Sequence, residues 1–217
     1  MAASQAASEI SLGSLILAGG WLMIPLAILS GISIFIFCER YNMIRKATSS
    51  DPKLMIKVRD LMYEGRVDHA VALCRSQGTP VARMIEKGIN SLGRPIGDIR
   101  TAIENVGNLE VSKLESGLPF LATTAGGAPM IGFLGTVIGM VQAFMNLSNA
   151  GGGGIDMALL SSGIYTAMIT TVAGLIVGIP AYFGYNFLVT RIEKLIFQME
   201  ANTMAFIDLV NPNNQHQ

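Results

Sequence analysis

The sequence predicts an all-α membrane protein with three transmembrane helices, and its composition and its apolar stretches lead to this fold class. Hydrophobic side chains make up 51% of the 217 residues and charged ones only 14%, with a mean hydropathy of +0.48, unlike an ordinary soluble domain. A bilayer core about 30 Å thick needs roughly 20 apolar residues in a helix, and three stretches are that long. They lie near Leu12 to Phe37, Leu118 to Leu147 and Met157 to Val189.

The basic residues predict the orientation of these spans. All 15 Lys and Arg lie between Arg40 and Lys113 or at Arg191 and Lys194. Because positive side chains stay on the cytoplasmic side of short loops, we expect the amino terminus outside and the carboxyl terminus inside. A cleaved signal peptide is the competing interpretation of the first span. The segment before it has no basic n-region, however, and the apolar run is too long for an h-region.

The spans and the charged segments divide the chain into four predicted parts. These are a periplasmic amino terminus with the first transmembrane helix (1–39), a cytoplasmic helical subdomain (40–117), a hairpin of the second and third transmembrane helices (118–190), and a cytoplasmic carboxyl-terminal helix and tail (191–217). Three short amphipathic segments of the subdomain each end at a glycine, as helices commonly do. Apolar residues recur at helical spacing beyond Pro95 and beyond Thr190, which predicts long helices projecting into the cytoplasm.

Signatures of catalysis, metal binding or cofactor binding are missing from the sequence. Cys38 and Cys74 are far apart and form no CxxC motif, so we expect free thiols. The two histidines, His69 and His216, lie outside the predicted spans, which excludes a histidine base or zinc site within the membrane. The glycine run after the second span lacks the Lys and Ser/Thr of a phosphate-binding loop. We therefore expect no enzyme, no metal, no cofactor and no nucleic-acid partner.

The second and third spans instead carry small and hydroxyl side chains in register. On the second span Thr136 lies among glycines, and on the third either Thr170 or Thr171 lies on a similar stripe. The predicted packing glycines are Gly132, Gly135, Gly139, Gly163, Gly174 and Gly178. Such stripes let helix backbones approach closely in a membrane. In the simplest interpretation the threonines only bond to backbone carbonyls of their own or a neighbouring helix.

Two motifs in these spans carry a resemblance to a known family. "GFLGTVIGMVQAF" and "TAMITTVAGLIVGIPAYFGYN", separated by a short glycine-bearing turn, resemble the paired signature of the MotA/TolQ/ExbB proton-channel family, most closely its ExbB branch. "GGWLMIPLAILS" followed by "ERYNMIR" at the first span extends the resemblance over nearly the whole chain. Flagellar stator subunits of the same superfamily usually carry four spans rather than three.

The resemblance implies a homopentameric ring around an ExbD-like single-span partner whose membrane aspartate carries the proton. The ring would be a multi-pass protein of the inner membrane of a Gram-negative bacterium. It would couple the protonmotive force to a TonB-like protein that drives outer-membrane transport. A TolQ-like cell-envelope motor and a structural membrane scaffold are the alternatives, and sodium in place of the proton also stays open.

The resemblance also assigns pore positions. It places Thr136 and Thr171 at the pore, and it puts Thr166 where many relatives carry a glutamate. A threonine hydroxyl donates and accepts hydrogen bonds but does not ionise near neutral pH, so it relays a proton without storing it. The titrating group must therefore belong to another chain. We expect Thr136, Thr166, Thr170 and Thr171 to line the proton pathway beside that group.

Overall fold

The computed structural model describes residues 19–49, 51, 53–149 and 157–211. Within these residues the secondary structure is helical, which confirms the predicted all-α fold class. A short 3-10 turn, Gly20–Leu22, precedes the first α-helix. The helices are α1 Met23–Thr48, α2 Leu54–Tyr63, α3 Val67–Gln77, α4 Pro80–Ile89, α5 Ile96–Glu115, α6 Leu118–Asn149 and α7 Met157–Val210. The predicted start of the first span, the glycine-rich turn and the polar tail lie outside the described residues.

Three segments are long and apolar enough to cross a membrane, as the sequence predicts. They include α1, α6 and the first part of α7. The helices α1 and α7 continue into segments that carry charges, whereas α6 carries none. A break separates α5 from α6 at Gly117, whose φ of +85° lies in the left-handed region that favours glycine. The third span and the carboxyl-terminal helix, by contrast, form one uninterrupted helix, α7.

The chain forms two compact units. The apolar unit consists of the described residues 19–37, 119–149 and 157–185, which belong to α1, α6 and α7. Its buried core contains Met23, Leu26 and Ala128, with three further aliphatic side chains packed against them. Many of its large side chains are exposed, Met130 at 72% and Phe133 at 66% among them. Apolar exposure on this scale requires lipid or a neighbouring chain to cover it.

The charged unit consists of the described residues in 38–118 and 186–211. Large side chains such as Ile85, Ile103, Leu195 and Phe206 are fully buried in its core. Gly88 of α4 lies against Phe206 and Ile103. A methyl group added there would come within 2.5 Å of the Phe206 ring and 2.8 Å of the Ile103 Cδ1 atom. The carboxyl-terminal part of α7 therefore completes the core that α4 and α5 begin.

Local sequence signals set the helix ends within the charged unit. Thr79 caps α4 by accepting a hydrogen bond from the Ala82 amide, and Pro80 occupies the first helical position, where its missing N–H costs nothing. Gly78 ends α3 in the left-handed conformation. Before α2, hydrogen bonds from Lys57 and from the Lys53 amide lower the pKa of Asp51 below its ordinary value.

Candidate functional site

The contact between α6 and α7 in the apolar unit is built on glycine and alanine. A methyl group added at any of the six glycines predicted to pack would come within 3.0 Å of an atom on the opposite helix. At Gly132 that atom is the Thr170 carbonyl oxygen, at 2.8 Å, and at Gly178 it belongs to the Pro129 ring, at 2.6 Å. A methyl group added at Gly126 of α6, by contrast, would have no neighbouring atom within 4 Å. The stripes therefore meet, and they bring the two backbones together.

Three threonine hydroxyls lie at the centre of this contact. The Thr136 and Thr171 hydroxyls hydrogen-bond to each other across the two helices. Carbonyl oxygens are alternative acceptors for these two hydrogens: that of Gly132 lies 3.1 Å from the Thr171 hydroxyl, and that of Ala167 lies 3.1 Å from the Thr136 hydroxyl. Thr170 reaches the same two carbonyls, at 3.3 Å to Gly132 and 2.8 Å to Ala167. The three hydroxyls and two carbonyls form one cluster, which we call the threonine cluster.

Burial distinguishes the members of the threonine cluster. Thr170 is 2% exposed and lies between the helices, whereas Thr136 and Thr171 are half-buried. The sequence left open which of Thr170 and Thr171 lies on the packing stripe, and in the structure both contact α6. Thr166, half-buried, lies one turn before Thr170. The hydrogen bonds that define the threonine cluster are made by Thr136, Thr170 and Thr171, so Thr166 is not a member of it.

Thr136 also faces an open groove on α6. The groove has a volume of about 600 Å³ and is mainly apolar, with Phe133, Val137, Met140 and Phe144 among its lining residues, although Ser148 also lines it. A single threonine side chain therefore belongs both to the buried cluster and to an exposed apolar surface. Of the three cluster threonines, Thr136 is the one that lines this groove.

The described residues of the apolar unit, which surround the threonine cluster, carry no side chain that ionises near neutral pH. In the described residues of the apolar unit there is no Asp, Glu, His, Lys or Arg. Each hydroxyl has one hydrogen to donate and two lone pairs to accept with. The three hydroxyls share the carbonyls of Gly132 and Ala167 as acceptors. Such hydroxyls can donate a hydrogen bond to, or accept one from, a polar group of another chain.

The sequence suggested carbonyl partners for the threonines but did not identify them. The carbonyls of Gly132 and Ala167 act as acceptors, and backbone groups give no sequence signal of that role beyond the small side chain above them. Elsewhere, the described residues contain no group of three or more His, Cys, Asp or Glu placed to hold a metal ion. Cys38 and Cys74 are both free, the first exposed and the second buried.

Comparison with known proteins gives the family. The MotA/TolQ/ExbB proton channel family matches residues 76–201, which is more than half of the chain. A putative biopolymer transport protein ExbB homolog of Methanothermobacter thermautotrophicus is 32% identical over 163 residues, covering 75% of this chain and 57% of that protein. The Tol-Pal system protein TolQ of Haemophilus influenzae is 43% identical over 88 residues, covering 41% of this chain and 38% of that one.

A third relative is aligned over a longer stretch. The putative biopolymer transport protein ExbB-like 1 of Synechocystis sp. is 29% identical over 175 residues, covering 80% of this chain and 69% of that protein. The first two relatives are thus matched over about half of their length or less. The chain belongs to the MotA/TolQ/ExbB proton channel family, a family of the cytoplasmic membrane, and its three long apolar helices fit a multi-pass membrane protein.

Proposed function

We propose that the chain is an ExbB-type motor subunit, which couples the protonmotive force to a TonB-like protein that drives outer-membrane transport. It acts with an ExbD-like single-span partner in the inner membrane of a Gram-negative bacterium. The observation that carries this proposal is the threonine cluster, which offers hydroxyls to a proton in a unit whose described residues include no carboxylate. The names of several relatives, ExbB homolog and ExbB-like among them, support the ExbB branch.

The mechanism follows from what the cluster lacks. A charge that crosses 100 mV releases roughly 2.3 kcal/mol, and motion results only if a titrating group prefers different surroundings when charged and when neutral. A carboxylate on the partner helix is such a group. Thr136 donates to that carboxylate when it is charged and accepts from its O–H when it is protonated. Thr170 and Thr171 rearrange behind it, and Thr166 extends the hydroxyl row by one turn.

The assembly we propose is a closed pentameric ring with the partner helices inside it. The exposed apolar side chains of the apolar unit support a ring, because a single copy leaves them uncovered. The groove beside Thr136, apolar and open, accepts a transmembrane helix. The orientation we propose has the amino terminus outside and both charged segments inside, on the grounds of the one-sided Lys and Arg distribution.

Two other functions have an observation in their favour. The 43% identity to a TolQ favours a Tol-Pal type motor, with TolR- and TolA-like partners in place of ExbD- and TonB-like ones. The carbonyl hydrogen bonds of all three cluster threonines favour a scaffold in which the hydroxyls only hold helices together. Interhelical hydrogen bonds in membranes contribute about 0.6–2 kcal/mol each, so a scaffold would lose little stability if any single one were removed.

Complementation and reconstitution together test the proposal. The gene for this chain is expressed, with that of its candidate single-span partner, in strains lacking either ExbB and ExbD or TolQ and TolR. We expect restored siderophore uptake in the first strain and unrestored detergent resistance in the second. The opposite pattern would assign the TolQ-type function. Proton flux into liposomes that contain chain and partner, absent with a partner Asp→Asn variant, separates both motors from a scaffold.

A further inference from the structure

The charged unit contains a cavity whose two arginines have no carboxylate beside them. It encloses about 460 Å³ between the last turns of α1 and the start of the charged part of α7. Arg45 and Arg191 line it, together with Tyr41, Thr48 and Ser49. In the ion pairs of the described residues neither arginine takes part. Two positive charges therefore share one cavity with nothing in its lining to neutralise them.

A second cavity of the same unit shows the contrast. It encloses about 360 Å³, and its basic residues include Arg83 and Lys113. Both of these donate to the buried carboxylate of Glu110, each at 2.7 Å. Lys46 lines that cavity too, so its positive charge is reduced by Glu110 but not cancelled. The cavity of Arg45 and Arg191 differs in that its lining contains no carboxylate with which either arginine is paired.

Arg191 is held in position before any ligand arrives. Its guanidinium lies over the Phe187 ring, 5.2 Å from the ring centre, and that ring is packed against Tyr41 at 6.1 Å between centroids. A guanidinium beside an aromatic ring still has N–H groups free to bind two oxygens of a phosphate. The aromatic contact thus lowers the entropy lost on binding.

The place of the cavity in the sequence indicates where its ligand comes from. Arg191 is the first charged residue after the apolar stretch of α7, and Arg45 follows the apolar stretch of α1 by about two turns. Two turns of helix rise about 11 Å, and a long arginine side chain extends from there back toward the headgroup layer. Phosphate groups of phospholipids lie at that level in every bilayer.

We propose that this cavity binds the phosphodiester of an anionic phospholipid, with Arg45 and Arg191 as its ligands. The Thr48 hydroxyl, which donates to the Ile44 carbonyl at 2.9 Å, keeps its lone pairs for a headgroup hydroxyl such as that of glycerol. The inference is independent of the proposed motor function, because it concerns only the boundary residues of two helices. A soluble phosphate ester has the same binding chemistry, and the experiment must separate the two sources.

Native mass spectrometry of the full chain in detergent measures the retained lipid. We titrate phosphatidylglycerol and phosphatidylcholine with identical acyl chains, and expect phosphatidylglycerol to bind about tenfold more tightly. Each of Arg45→Gln and Arg191→Gln should reduce that preference about fivefold, the usual share of one basic residue near an anionic surface. Arg94→Gln, which removes an exposed positive charge outside both cavities, is the matched control and should leave it unchanged.

Three outcomes would overturn the proposal. They are equal retention of the two lipids, an equal loss with Arg94→Gln, and displacement of phosphatidylglycerol by low millimolar sn-glycerol 1-phosphate, which would make the ligand soluble. Arg45→Lys and Arg191→Lys guard against a folding artefact. They keep the positive charge but lose the paired N–H donors of arginine, so we expect the preference for phosphatidylglycerol to fall in part. An unchanged preference would contradict a bound phosphodiester.

Discussion

The charged unit and the apolar unit differ in the kind of packing that stabilises each of them internally. In the charged unit, large side chains such as Ile103, Leu195 and Phe206 fill a core, and small residues only make room for them. In the apolar unit, the contact between α6 and α7 depends on side chains that are missing, because glycines and alanines let the backbones meet. The difference follows from the solvent, because the hydrophobic effect drives apolar side chains out of water but does not drive helices together in lipid. Truncation should therefore damage the charged unit, and enlargement the apolar unit.

The largest effect is expected from truncating Phe206. Phe206→Ala removes a fully buried ring beside Gly88 and Ile103, which should cost about 3–5 kcal/mol of stability. Hydrogen exchange of the full chain in detergent, read on the peptides of α4 and α5, measures the loss as faster exchange. Phe197→Ala is the control on the same helix, because Phe197 is 75% exposed. Equal effects of the two variants would mean that the charged unit lacks this core.

A smaller effect of opposite chemistry is expected in the apolar unit. Gly135→Ala adds one methyl group, which would overlap the Thr170 side chain, 2.6 Å from its Cβ. Overpacking of this kind costs about 1–3 kcal/mol. Thermal unfolding in detergent should show a lower midpoint for Gly135→Ala and an unchanged or raised one for Gly126→Ala, where the methyl group meets open space. A tolerated Gly135→Ala would remove the basis of the comparison.

The sequence predicted the helices well because apolar length and glycine stops report directly on local structure. Helical spacing places Gly132, Gly135 and Gly139 on one face, and in the structure all three lie against α7. The sequence did not predict that both Thr170 and Thr171 would contact α6, because a stripe fixes a face and not the rotation of the partner helix. Nor did it predict the buried Glu110, which reads as one more charge in a charged helix until Arg83 approaches it from α4.

The smallest effect is a pH dependence of the charged unit. Burial, with a contribution from Glu86, raises the pKa of Cys74 from its ordinary 9.0 to about 11. The unfolded chain therefore loses this thiol proton first as the pH rises, and the stability that the neutral thiol contributes is present below about pH 9 and lost toward pH 11. Urea unfolding in detergent at pH 8 and pH 10.5 measures the loss.

Matched cysteine variants isolate that titration from those of Lys and Tyr. Cys74→Ala should flatten the dependence of stability on pH between 9 and 11, whereas Cys38→Ala, which removes an exposed thiol, should leave it as it is. The same burial predicts slow maleimide labelling of Cys74 in the folded chain. Rapid labelling at neutral pH would contradict the buried thiol.

The central claim is that the threonine cluster serves a proton and not only the packing of α6 on α7. Thr136→Val with Thr171→Val keeps the shape of both side chains and removes two hydroxyls of the cluster. Thr123→Val is the control, because that hydroxyl is exposed and bonds to the Pro119 carbonyl of its own helix.

The most direct measurement is proton flux into liposomes that contain the chain with its single-span partner, recorded beside the yield of assembled complex. We predict that the double variant assembles at a yield close to that of the wild type and conducts less than about a tenth of its protons, while Thr123→Val conducts normally. Undiminished flux through a well-assembled double variant would contradict the account, and so would a loss of flux that only follows a loss of assembly.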